Sequence, residues 1–218
     1  MRSVLWACWL ALGFPLAVQA QASSHADAGT ARAVDVRSVL AQFAKIEALS
    51  AKFHEEKRMA LLAQPLSSDG TLHYAKPRLL ARHTERPHPA SVLLRGETLS
   101  FGDSKHEERI ELSAQPALRV LVDTFVSVLA GDLAALERVA DVSVEASANG
   151  GYRIRVLPKD DKVKRLVRSM SFDGQGATLS RMELLDANGD TTVTTFSDVQ
   201  RRASFSAAEQ ARIFRIGR

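Results

Sequence analysis

The side chains best equipped for chemistry are two adjacent acid pairs, Glu55-Glu56 and Glu107-Glu108, and six histidines. Neighbours on a strand point to opposite faces, so neither pair brings two carboxylates to one proton-transfer site. His83 and His88 have Pro87 and Pro89 beside the second of them, and no His-Glu-x-x-His occurs. There is no Gly-x-Ser-x-Gly elbow and no Gly-x-x-x-x-Gly-Lys phosphate loop. Gly174-Gln175-Gly176 lacks a third glycine and reads as a strand–strand turn rather than a dinucleotide site. No catalysis, metal site or cofactor is expected. Lys76 has a different kind of potential, because it continues the period-2 phase of Leu72 and Tyr74. Two readings fit. Either the strand ends at Ala75 and Lys76 is solvated before Pro77, or its ammonium sits at the rim of an apolar interior. There it needs a partner or a route to water.

The elements around these residues are strands and amphipathic helices. Asp35 can cap a helix running to about Leu49, with Val36, Val39, Leu40, Phe43 and Ile46 on one face. Ala51 and Phe53 alternate with Lys52 and His54 in a first strand, and Met59–Ala63 reads equally as strand or loop. Leu72 and Tyr74 mark the next strand, and Leu79–Thr84 the one after it. Pro87 and Pro89 break the pattern, and Ser91–Arg95 and Glu97–Phe101 form a hairpin about Gly96. After a strand near His106–Leu112, Pro116 opens a helix over 117–130 that Gly131 stops, and Asp132 can cap the next, Leu133–Val139. Leu118, Leu121, Val122, Phe125, Val128 and Leu129 make one face of the longer helix wide and apolar. That face fits an ordinary core helix or a lid over a lipid-sized cavity, since so apolar a surface must be covered by protein or ligand.

The second half is a meander. Val142–Ala146, Tyr152–Val156, Arg168–Asp173, Leu179–Leu185 and Thr191–Asp198 alternate, with turns at Asn149-Gly150-Gly151 and Asn188-Gly189. Asp160–Arg165 reads as a solvated charged loop and Ala207–Phe214 as a short helix. Short turns between strands give an antiparallel sheet of about eleven strands.

The N-terminus has Arg2, an apolar run Val4–Val18 and small residues at Gln19-Ala20-Gln21-Ala22. This is the pattern of a secretory signal peptide, with cleavage after Ala20 or Ala22, and the run is too short and interrupted for a membrane span. The expected domains are a signal peptide over 1–20, a disordered lead-in over 21–34 and a single domain over 35–218. Cys8 is the only cysteine. A mature chain has neither disulfide nor thiol nucleophile, which suits an exported protein. The formal net charge is +4. The charges are interspersed, which gives no case for nucleic acid.

The order Gly70-x-Leu72-x-Tyr74-x-Lys76-Pro77, a strand, a Pro-containing turn, then Val92-Leu93-Leu94-Arg95-Gly96-Glu97-Thr98-Leu99 resembles the periplasmic outer-membrane lipoprotein carrier family, LolA. So does the run from Phe172 through Asp186, Gly189 and the Thr-rich strand to Phe196 and Val199. The likeness touches most of residues 35–200, with departures that mark a divergent branch. Lys76 stands for the family's usual Arg, Glu55 for its Gln, and Phe205 and Phe214 replace a closing Phe-x-Phe.

The resemblance implies an α+β fold, mainly antiparallel β: a half-open, unclosed β-barrel covered by helices. It implies a cavity lined by Phe53, Leu72, Tyr74, Leu80 and Leu93, with Phe101, Met170, Phe172, Met182 and Leu184. The same residues also fit a plain β core. The helix over 117–130 becomes the lid, and Lys76 its latch. Lys offers fewer simultaneous bonds than Arg, so a loose latch is expected. The implied function is a periplasmic, monomeric carrier of lipoprotein acyl chains or another lipid, between an inner-membrane donor complex and an outer-membrane acceptor. The alternatives are a lipid-sensing regulatory domain, or a glycolipid- or pigment-lipid-binding protein of an export pathway.

Overall fold

The computed structural model describes residues 34–217, so the expected signal peptide and nearly all of the lead-in lie outside the described residues. Helix α1 (Val36–Phe43) precedes β1 (Ala48–Arg58), β2 (Leu66–Ala75), β3 (Leu79–Arg86), β4 (Ala90–Arg95), β5 (Thr98–Gly102) and β6 (Glu107–Glu111). Helices α2 (Pro116–Ala130) and α3 (Leu133–Val139) follow. The second half holds β7 (Ala140–Ser147), β8 (Gly151–Pro158), α4 (Asp161–Lys164), β9 (Val167–Gln175), β10 (Thr178–Asp186), β11 (Thr191–Arg202) and α5 (Ala207–Ile213). The strands form one eleven-stranded sheet in the order β6-β5-β4-β3-β2-β1-β11-β10-β9-β8-β7. Each neighbouring pair is antiparallel, from β1 against β11 at the centre to β5–β6 and β7–β8 at the two sides. The edges β6 and β7 do not meet, so the barrel is half-open, as the family resemblance implies.

Connectivity positions the helices. α2 and α3 link the two free edge strands, so they must cross the concave side of the sheet. Val126, Val128, Leu129 and Leu136 accordingly share one core with Leu40 and Phe43 of α1 and with Leu49, Tyr74, Ile154 and Phe172 of the sheet. Gly131 ends α2 at φ 70°, and a Cβ there would lie 2.3 Å from the Leu40 carbonyl oxygen. Only glycine permits both the left-handed turn and the close approach of α1. Among the described residues no helix is long and apolar enough to cross a membrane.

Two local expectations change, and one left open is resolved. α1 stops at Phe43 rather than near Leu49, although Asp35 caps it as expected, accepting from the Arg37 and Ser38 amides. Ala48 and Leu49 instead pair with Ala75 and Tyr74 on one side and Arg202 and Arg201 on the other. Two flanking strands satisfy backbone groups that a helix end would leave without partners. Asp160–Arg165 is not a solvated loop. The Asp160 carboxylate caps the single turn of α4, and Val163, 1% exposed, anchors it. Met59–Ala63 is a loop, with Met59 tucked in.

The convex face carries a second, smaller core of Ala48, Ala81, Phe205, Ile213 and Phe214. α5 is held there by a capping box between Ser206 and Glu209. His83 Nε2 donates to the Ile213 carbonyl at 2.7 Å, which leaves Nδ1 to accept from the Ser91 hydroxyl at 2.8 Å. Leu93 packs against this outer core, which corrects its assignment to the cavity. In β4 the register sets Leu94 opposite Leu80 and Leu99, on the inner face, and turns Leu93 outward.

Candidate functional site: a lidded apolar trough with a charged floor

Cross-strand partners share a face, so the ladders trace the concave surface row by row. One row runs Leu49–Tyr74–Leu80–Leu94, and the next Ala51–Leu72–Arg82–Val92–Phe101. On the other side Glu55 faces Thr194, then Met182, Phe172, Ile154 and Val144. Phe53, Leu72, Tyr74, Leu80, Phe101, Met170, Phe172, Met182 and Leu184 therefore lie on this surface. Met170 and Phe172 are buried, while Met182, Leu184 and Phe101 remain half-buried.

α2 lies over the surface. Val128 and Leu129 are fully buried, whereas Leu118, Leu121, Val122 and Phe125 are half-buried against the core. The Phe125 ring stacks on Phe172, with centroids 6.3 Å apart and planes 26° from parallel. The hydroxyls of Tyr74 and Tyr152 are buried without a hydrogen-bond partner among the described residues. Burial, with a contribution from Glu47, pushes the Tyr74 phenol up to about 12, and burial raises Tyr152 as well. Both stay neutral, so the inner surface beneath α1 keeps an uncharged lining.

The middle of the trough differs. Glu55 accepts from Arg82 Nη2 at 2.9 Å and from the Thr194 hydroxyl at 2.8 Å. Arg82 Nη1 donates to the Thr84 hydroxyl at 3.1 Å, and the guanidinium lies 4.2 Å over the Phe53 ring. Gly70 makes room for this stack. A Cβ there would lie 2.8 Å from the Phe53 ring and 1.9 Å from the His83 carbonyl oxygen.

Further along the same strands Asp186 and Asp190 are 3% and 4% exposed. Burial pushes the Asp186 carboxyl up to about 6, Lys57 pulls it down, and Asp190 raises it. The folded state thus holds this proton more tightly than the unfolded chain does. Its contribution to stability is full below about pH 4 and is lost as pH rises through about 6. Asp186→Asn should therefore stabilise the protein by about 1–3 kcal/mol at pH 7.5 and change little at pH 4. Urea unfolding at the two pH values measures this, and equal shifts would refute the assignment.

Ion pairs hold the helices at the rim. Lys76 is neither free in solvent nor bound to α2. Its Nζ donates to the Ala44 carbonyl at 2.5 Å, at the C-terminal end of α1, and meets Glu47 at 3.0 Å. Arg78 reaches Asp123 of α2 at 2.8 Å and Glu97 at 3.5 Å. Arg119 of α2 closes the ring on Glu97 at 3.1 Å and Asp123 at 3.4 Å. A recess of about 560 Å³ opens beside this ring, between Pro77 and the α2–α3 corner. Among the described residues no group of three or more His, Cys, Asp or Glu is placed to hold a metal ion.

The sequence of the chain matches a family model over most of its length. That model describes an outer membrane lipoprotein carrier protein, LolA-like, and covers residues 28–215. The chain belongs to this LolA-like family. No curated protein matches it in sequence. Among solved structures, a LolA superfamily protein from Nitrosomonas europaea is similar, with 14% identity over 84% of this chain and 98% of that one, TM-score 0.43. The Pseudomonas aeruginosa MucA/MucB complex matches at 12% identity over 80% of this chain and 60% of the other, TM-score 0.49. The Mycobacterium tuberculosis lipoprotein LppX matches at 11% identity over 78% and 96%, TM-score 0.41.

In this LolA-like chain the tie to α2 belongs to Arg78, not to Lys76, where the resemblance placed a latch. Sequence reasoning missed Arg78, Glu97, Asp123 and the inward pair Glu55–Arg82. Asp123 was the available signal: it is the one acid inside the apolar helix 117–130.

Proposed function

We propose that the protein is an exported carrier that holds the acyl chains of a lipoprotein, or of another lipid, between α2 and the concave sheet, and passes them towards the outer membrane. The observation that carries this reading is the seam of half-buried apolar side chains. Leu118, Leu121, Val122 and Phe125 of α2 face a sheet on which Met182 and Leu184 are also half-buried. A finished core would close over such residues, while a flexible hydrocarbon can fill the same seam. Membership of the LolA-like family supports the reading, and its fullest form is a periplasmic monomer acting between an inner-membrane donor and an outer-membrane acceptor. The residues are used for binding, and no catalytic step is assigned to them.

The test is mass spectrometry of lipids extracted from protein purified from its own periplasm. Acyl lipids in near-stoichiometric amount are expected. Protein recovered without acyl lipid, and unable to take it up from lipid vesicles, would overturn the proposal.

A further inference from the structure

Charges are rarely placed on the inner surface of an apolar trough, because removing them from water costs several kcal/mol per ion unless other interactions repay it. Here the register places Glu55, Arg82, Thr84 and Thr194 in the middle of the sheet. Met182 and Phe172 lie on one side of them, and Val92 and Phe101 on the other. The two charged side chains keep 27% (Arg82) and 23% (Glu55) of their surface exposed, so the pair is partly desolvated yet reachable from the trough. Both Glu55 oxygens already have a partner, and Arg82 uses two of its five N–H donors on Glu55 and Thr84.

We infer that this cluster is a headgroup subsite for a neutral acyl lipid bearing ester and hydroxyl groups, resting on the carrier reading above and naming the class of cargo. The remaining Arg82 donors suit an ester carbonyl or hydroxyl oxygen, and Glu55 and the Thr84 hydroxyl accept from a hydroxyl. A free carboxylate is disfavoured at this point, because beside the Arg82 guanidinium it would meet the Glu55 carboxylate. The flanking apolar residues and the half-buried face of α2 then take the hydrocarbon. The cargo lies with its head on the floor and its chain along the wall.

The experiment measures affinities of the purified, delipidated full-length mature protein for four probes with one C16 chain. These are 1-monopalmitoylglycerol, its dimethyl ether lacking hydroxyls, palmitate and hexadecane. The monoacylglycerol should bind about tenfold or more tighter than palmitate or hexadecane, and the dimethyl ether should lose part of that advantage. The double variant Glu55→Gln with Arg82→Met removes both charges together and strands neither. It should bind all four probes within a few-fold of one another. Equal binding of the probes by wild type, or an undiminished preference in the double variant, overturns the headgroup subsite and leaves the carrier reading standing. Failure of wild type to bind any probe overturns both. The comparison among probes on wild type is decisive even if the double variant does not fold.

Discussion

Phe125→Asp should weaken binding of a long-chain acyl probe by about 100-fold or more while leaving the protein folded. Phe125 is half-buried on α2, with its ring over Phe172. In the proposed carrier, this ring would cover bound hydrocarbon. Losing cover equivalent to about four methylenes, at about 0.8 kcal/mol each, removes about 3 kcal/mol, which is roughly two orders of magnitude in affinity. The new carboxylate adds its own desolvation cost whenever the lid closes on an apolar ligand. Without ligand the same carboxylate can stay hydrated if α2 lifts, so the loss of folding stability is smaller, about 2 kcal/mol. Leu121→Asp should behave alike, whereas an aspartate at Val128, which is fully buried, should chiefly unfold the protein. Dye-displacement titration alongside chemical denaturation separates the two effects. Unchanged acyl affinity in folded Phe125→Asp protein would mean that α2 is a core helix and not a lid.

The second large effect concerns what holds α2 down. Arg78→Ala removes the side chain that joins the β2–β3 turn to Asp123, and leaves Glu97 and Asp123 sharing Arg119 alone. Each charge-assisted contact at such a half-buried site contributes about 1–3 kcal/mol. Opening of α2 should therefore become about 5- to 150-fold more frequent, read as faster amide hydrogen exchange over residues 116–130. Lys76→Ala should act elsewhere. It frees the Ala44 carbonyl and Glu47, so exchange should quicken over residues 36–44 and respond less over α2. Arg78→Lys keeps the charge but loses the fork, and should fall between wild type and Arg78→Ala. If exchange over 116–130 is the same in wild type and Arg78→Ala, the charged ring does not restrain the lid. If Lys76→Ala loosens α2 as much as Arg78→Ala does, the latch is Lys76 after all.

Several features were legible because they depend on neighbours along the chain. Period-2 alternation in Leu72–Tyr74, Tyr152–Val156 and Met182–Leu184 made these strands, and Asn188-Gly189 turned β10 into β11. Pro116, Gly131 and Asp132 bounded α2 and began α3, since each acts through its own backbone geometry. An antiparallel sheet with α2 and α3 between its two meanders followed from the order of those elements.

Faces, partners and ends were decided only by the tertiary structure. Val92-Leu93-Leu94 is apolar throughout, so alternation cannot say which leucine points inward; pairing with Leu80 chose Leu94 and sent Leu93 to the outer core. Helical periodicity carried α1 on towards Leu49, but β2 and β11 claimed that segment from both sides. Arg82 lies 27 residues from Glu55 and meets it because β2 folds between their strands and Gly70 leaves a gap. The assignment of Lys76 to α1 and Arg78 to α2 turns on two residues of offset beside a proline, which no local pattern encodes. Local propensity acts over a turn or a strand pair, whereas an ion pair needs two distant backbones already in register, so the sequence marked out the trough and the fold alone determined which charges lie on its floor and at its rim.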